Sequence, residues 1–239
     1  MLTRLILVVV LILGSTLSWA KPPFASDDEL NTWITYYYLN PKPELAVASL
    51  PFLNDAMVKF KNRSLAEYAQ RGGIRSFYAK IFEANKSAVL ELEKSMKGFP
   101  QDVQVFALEA LRRCASAECI RVLGSALPVS SQATLAPTTF DDSWAAFMAT
   151  GDGSYVQEVV VALPLVEVRG ETERLVAGGA ARWSLQSNAY QHTKVLETLE
   201  QSALTAEPTT KRLLLEIINE AKAERAKNPP PEPTRKTSN

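Results

Sequence analysis

The chain is poor in the residues from which metal and nucleophilic sites are commonly built. Among its 239 residues there is one histidine, His192, and only two cysteines, Cys114 and Cys119. Zinc sites usually recruit several His or Cys ligands, and the two cysteines lie far from the histidine in sequence, so no metal and no cofactor is expected. An excess of charge is missing too, because 26 basic side chains balance 26 acidic ones. Proteins that hold a polyanion display a basic field, so no nucleic-acid partner is expected. The sequence contains no G-x-S-x-G elbow and no G-x-x-x-x-G-K-[ST] loop, and Gly72-Gly73 lacks the preceding strand that a dinucleotide loop requires.

Long apolar runs are also lacking. The one at residues 5–14 is followed by Ser15 and Thr16, well short of the roughly 20 apolar residues that cross a bilayer. With Arg4 before it and Ser18-Trp19-Ala20 after it, residues 1–20 have the charged, apolar and small-residue order of a cleavable secretory signal. The expectation is a mature chain from Lys21, periplasmic or secreted, with no stable membrane insertion after cleavage; a retained anchor is the alternative. Pro22-Pro23 bars a helix from continuing out of the run.

What is present is helical periodicity. Asp27-Asp28-Glu29 places acids where a helix N-terminus favours them, Leu30, Trp33, Ile34 and Tyr37 recur at helical spacing, and Asn40-Pro41 stops the run. Pro43-Glu44 opens another helix. Segments 72–85, 87–97, 101–113 and 117–127 repeat the pattern, and 155–165, with Val159-Val160-Val161, reads as one buried helix. The predicted class is all-α, with paired antiparallel helices stacked in a solenoid-like array. A helical domain is expected over 21–227. It comprises halves of about 27–127 and 140–205, a Ser/Thr/Pro-rich linker at 128–139, and a C-terminal helix at 208–227. Residues 228–239 hold Pro229-Pro230-Pro231 and Pro233 among polar residues and are predicted to be disordered, with a tether or peptide ligand as the alternative.

The halves share landmarks. Trp33, Leu50-Pro51, Gly72-Gly73 and Val89-Leu90-Glu91 recur in order as Trp144, Leu163-Pro164, Gly178-Gly179 and Val195-Leu196-Glu197, with Phe77 opposite Trp183. The order predicts a duplicated helical unit, against the alternative of coincidence. Repeats that cannot bury their own apolar faces stack on their neighbours. Two segments, one from Asp142-Ser143-Trp144 to Gly151-Asp152 and one from Gly179-Ala180-Ala181 through Trp183 to His192, resemble parts of uncharacterised bacterial secreted helical proteins. The resemblance implies paired helices and carries no activity with it.

Several groups of residues invite a chemical reading. If 182–191 is helical, Ser184, Ser187, Asn188, Gln191 and His192 follow i, i+3, i+4, i+7, i+8 and share a face. Such a stripe is a candidate binding surface for a peptide or sugar; a solvated face or a polar seam between helices is the alternative. Catalysis by Ser184 and His192 is disfavoured, because eight helical residues separate them by about 12 Å and a nucleophile and base must meet at about 3 Å. No catalytic residue is assigned. Asp141-Asp142 before Trp144 reads as helix capping, and Trp33, Tyr36, Tyr37 and Tyr38 read as core rather than as a stacking platform.

Cys114 and Cys119 can pair only if the helix breaks between them. In a continuous helix, residues five apart rise about 7.5 Å and point in different directions, whereas a disulfide accepts Cα separations up to about 6.8 Å. Ser116 is placed to cap a new helix at Ala117, so a disulfide is predicted, against two buried free thiols. The function expected from all this is an exported helical-repeat protein that binds a protein or peptide partner in the cell envelope. An envelope-polymer hydrolase and a purely structural envelope component are the alternatives.

Overall fold

At residue 26 the chain turns helical for a local reason. Ser26 accepts a hydrogen bond from the Glu29 backbone N–H, and Asp27, Asp28 and Glu29 fill the first turn of α1 (Asp27–Thr35), where carboxylates complement the helix dipole. The computed structural model describes residues 22–69, 73–124, 137–230 and 233. The expected signal segment, Gly72 and most of the linker lie outside these residues. After α1 come a 3-10 turn (Tyr37–Leu39), α2 (Leu45–Lys61), α3 (Leu65–Ala69), α4 (Ile74–Ala84), α5 (Lys86–Ser95), α6 (Gln101–Arg113) and α7 (Ala117–Leu123). The second part holds α8 (Pro137–Thr150), α9 (Ser154–Val160), a 3-10 segment (Leu163–Glu167), α10 (Thr172–Gln191), α11 (Thr193–Thr205) and α12 (Pro208–Lys227). The chain is all-helical, with no strand among the described residues.

Three boundaries differ from the periodicity. The stretch around Val159–Val161 is divided: α9 ends at Val160, Val161 is exposed, and a 3-10 segment begins at Leu163 with Pro164 in its first turn. Proline has no N–H to donate to an α-helical ladder, so an uninterrupted helix through Pro164 is disfavoured. Pro137, assigned to the linker, is instead the first residue of α8, a position where its missing N–H costs nothing. Asp141 and Asp142 therefore lie inside α8 and do not cap it. Asp142 instead pairs with Arg113 of α6 at 3.0 Å and accepts a hydrogen bond from the Ser76 hydroxyl at 2.7 Å.

Two apolar clusters form the interior. The first joins α1–α7, around Leu50, Phe77, Tyr78, Phe82, Phe106 and Leu111. The second joins α8–α12, around Phe147, Leu163, Leu185, Leu199 and Ile217. Helix α8 belongs to both: Ala145 and Ala149 face the first cluster, while Phe140, Trp144 and Phe147 face the second. The close fit of α4 to α8 depends on Gly73, where an added Cβ would sit 1.9 Å from the Asp141 carbonyl oxygen. Gly178 plays the same part for α10, since a Cβ there would lie 2.0 Å from the Val166 backbone nitrogen in the 3-10 segment.

The paired landmarks occupy settings that agree at some points and differ at others. Helices α4 and α5 are joined by the single extended residue Asn85 (φ −133°, ψ 91°), and α10 and α11 by the single extended residue His192 (φ −118°, ψ 117°). Val89 and Val195 are both fully buried. Pro51 lies inside α2, however, whereas Pro164 lies in the 3-10 segment. Phe77 is buried and Trp183 is 73% exposed.

At the α6–α7 corner the cysteines are joined. Helix α6 ends at Arg113, Ser116 accepts from the Cys119 backbone N–H, and Cys114 and Cys119 form a disulfide across a Cα separation of 6.0 Å. Both are fully buried.

Candidate functional site: the groove between α10 and α12

Helix α10 has two faces of different character. Ala177, Gly178, Ala181, Ser184, Leu185 and Ala189 are buried along the inner one, following the three- and four-residue steps of a helical stripe. On the outer face Val176 and Trp183 stand seven residues apart, 55% and 73% exposed, and Tyr190 follows after another seven. Small residues inside and large ones outside reverse the usual distribution for a surface helix. The small inner side chains let α10 lie close to the 3-10 segment and α12, as the Gly178 contact requires.

Helix α12 supplies the other wall. Leu213, Leu214, Ile217, Ile218 and Ala221 are buried, which leaves Glu216, Glu220 and Glu224 along the edge towards α10. A groove of about 260 Å³ runs between the helices, lined by Trp183, Gln186, Ser187 and Tyr190 on one side and Glu220, Ala221 and Glu224 on the other. Hydrogen bonds hold the walls together. Arg182 donates to Glu216 at 2.9 Å and to Glu220 at 3.3 Å, the Tyr190 hydroxyl donates to the Asn228 carbonyl at 3.0 Å, and Arg225 donates to the Ala189 carbonyl at 3.1 Å. Arg182, followed by Arg212, holds the Glu216 carboxyl below its ordinary pKa. Glu224 accepts from the Asn228 amide at 2.8 Å and makes no ion pair among the described residues.

The five residues of the predicted polar stripe do not share one surface. Ser187 is exposed and lines the groove. Ser184 is buried and its hydroxyl returns to the Ala181 carbonyl at 3.1 Å; the Asn188 amide donates to the Ser184 carbonyl at 2.9 Å. Gln191 is half-buried at the last position of α10. His192 lies beyond that end, so the helical register no longer carries it to the same face. Its ring is fully buried, with Nδ1 3.2 Å from the Tyr38 hydroxyl and the rings of Tyr36, Tyr38 and Phe147 between 5.2 and 5.8 Å away.

Trp183 is the residue that sequence reasoning missed as a site. The landmark order pairs it with Phe77, which is buried, although the seven-residue spacing of Val176, Trp183 and Tyr190, set against Ala177, Ala181, Leu185 and Ala189, marks the outer face. Trp33, Tyr36, Tyr37 and Tyr38 are all buried, as expected of core residues, and burial raises the Tyr37 phenol far above its usual pKa.

A larger cleft, about 410 Å³, opens between α1, α2, α4 and α8, with Ile34, Met57, Ile74 and Met148 among its apolar walls and Asp141 at its edge. Burial, reinforced by neighbouring Asp142, raises the Asp141 carboxyl. Among the described residues no group of three or more His, Cys, Asp or Glu side chains is arranged to hold a metal ion, and no helix is long and apolar enough to cross a membrane. No protein-family model, curated protein or solved structure matches the chain.

Proposed function

We propose that the protein binds a protein or peptide partner through the α10–α12 groove, and that it does so outside the cytoplasm. The observation that carries this reading is the 73% exposure of Trp183 beside a groove edged by carboxylates. Exposed Trp is costly to leave in water, and Trp and Tyr are the residues around which binding energy concentrates. The chemistry favours a segment that lays an apolar side chain on Trp183 and directs a Lys or Arg towards Glu224. An indole face and a nearby carboxylate both attract such a cation. The buried disulfide supports the location, since structural disulfides persist mainly in oxidising compartments, as does the charged, apolar and small-residue order of residues 1–20.

The architecture admits a finer reading. Gly73 immediately precedes α4 and Gly178-Gly179 lies within α10, and in each case the corner that follows the helix turns on one extended residue, Asn85 or His192. These features support a duplicated unit whose copies meet across α8.

A peptide array tests the binding reading. Fifteen-residue peptides with apolar positions at helical spacing and flanking Lys or Arg are expected to retain the protein, and acidic counterparts to fail. Trp183→Ala should weaken retention about tenfold or more, as loss of a central aromatic anchor does, while changing stability by no more than about 0.5 kcal/mol. Retention indifferent to Trp183→Ala, or an array with no basic preference, would overturn the proposal.

A further inference from the structure

A third cavity has an occupant from the chain itself. Between α1, the Tyr37–Leu39 turn and the start of α2 lies a groove of about 210 Å³ whose apolar wall includes Phe24, Trp33, Tyr36 and Leu45. Phe24 and Trp33 meet at 5.4 Å between ring centroids. The remaining lining residue comes from the other end of the sequence: Pro233, some two hundred residues away, completes the groove while staying exposed to solvent. Aromatic-lined grooves are the surfaces on which proline-rich segments dock, because the extended polyproline conformation is already ordered before binding.

The path of the chain favours this contact. Helix α12 ends at Lys227, and the Tyr190 hydroxyl holds the next residue by its carbonyl. Tyr190 lies two residues before His192, whose ring is 5.2 Å from that of Tyr36 in the groove wall. Five residues separate Asn228 from Pro233, and in polyproline conformation they would reach about 15 Å. Four of residues 229–233 are proline and the fifth, Glu232, precedes one, which lowers the entropy lost on docking. Charge agrees as well: Glu232 and Arg235 flank Pro233 in sequence, and the groove rim offers Lys42 and Glu29.

We infer that the α1–α2 groove is a proline-recognition site whose resident ligand is the protein's own C-terminal segment, residues 228–239, docked within the same molecule. This site is separate from the α10–α12 groove and does not depend on the reading given to it. A tethered ligand faces its site at millimolar effective concentration, so it excludes a free peptide of the same sequence at micromolar levels.

The test compares the full wild-type chain with a full-length variant in which Pro229, Pro230, Pro231 and Pro233 are each replaced by Ala. The probe is a fluorescein-labelled peptide of residues 228–239. The replacements come after the end of α12 at Lys227, so circular dichroism of the two proteins should coincide. The variant is expected to bind the peptide at least about tenfold more tightly than wild type, and to bind a peptide carrying the same four Ala replacements at least about tenfold more weakly. Equal affinity in both proteins, binding by neither, or indifference to the prolines of the peptide would overturn the inference. So would a wild-type dimer that the variant does not form, because the segment would then be docked in a second copy.

Discussion

At Gly178 a methyl group has no room, and at the next residue it has nothing to strike. A Cβ at Gly178 would lie 2.0 Å from Val166 N and 2.3 Å from Leu165 C, both backbone atoms that cannot rotate away. Gly179 has no atom within 4 Å of its would-be Cβ. Gly178→Ala is therefore expected to destabilise by about 2 kcal/mol or more, as overpacking does, and Gly179→Ala to stabilise by about 0.5–1 kcal/mol through the entropy of a helix interior. Urea unfolding of the pair reads both signs in one experiment; two variants of equal stability would contradict the close packing. Cys114 and Cys119 offer a second residue-scale check. Alkylation of the unreduced protein in denaturant should label neither thiol, and removing the bond should cost about 2 kcal/mol, the loop-closure entropy of so short a loop.

Among the elements, those with a local cause were legible in the sequence. The start of α1 follows from Ser26 and three acids, and the break between α6 and α7 from Ser116 and the geometry that a disulfide demands. The four aromatics from Trp33 to Tyr38 are core as expected, but α1 ends at Thr35 and the consecutive tyrosines are buried against different neighbours, Tyr37 on Trp33 and Phe77, Tyr38 on Phe147. Where the outcome was set by distant contacts, local pattern failed. Pro137 itself is the one local signal that α8 begins there, and the helix is held by α4 across Gly73 and by Arg113 from α6. The candidate site was legible only in part. The pattern marks Ser187, but it extends the stripe through His192 as though α10 continued, whereas α10 ends at Gln191 and the chain turns on the extended His192. Trp183 was visible as a residue and not as a surface, because a Trp matched to a buried Phe reads as core until the opposite face of its helix is seen to be full.

At the scale of the whole molecule, α8 decides how the protein unfolds. Its Ala145 and Ala149 complete one core and its Phe140, Trp144 and Phe147 the other, so neither can open without stripping apolar cover from a helix that the other needs. One transition is expected in thermal or urea unfolding, with far-ultraviolet and near-ultraviolet circular dichroism coincident. Phe147→Ala, which removes a fully buried ring touching Tyr38, Trp144 and His192, should cost about 3–5 kcal/mol and lower that single transition. Two separated transitions in the wild type would show that α8 does not couple the cores. The same junction gives the molecule a built-in spectroscopic gauge. His192 is the only imidazole in the chain, and it is surrounded by Tyr36 and Tyr38 from before α2 and by Phe147 from α8. Its ring therefore contributes one Cε1 proton resonance, displaced by the ring currents of aromatic neighbours from both sides of the junction, and that line reports in a proton spectrum, without labelling, whether the two sides remain in register.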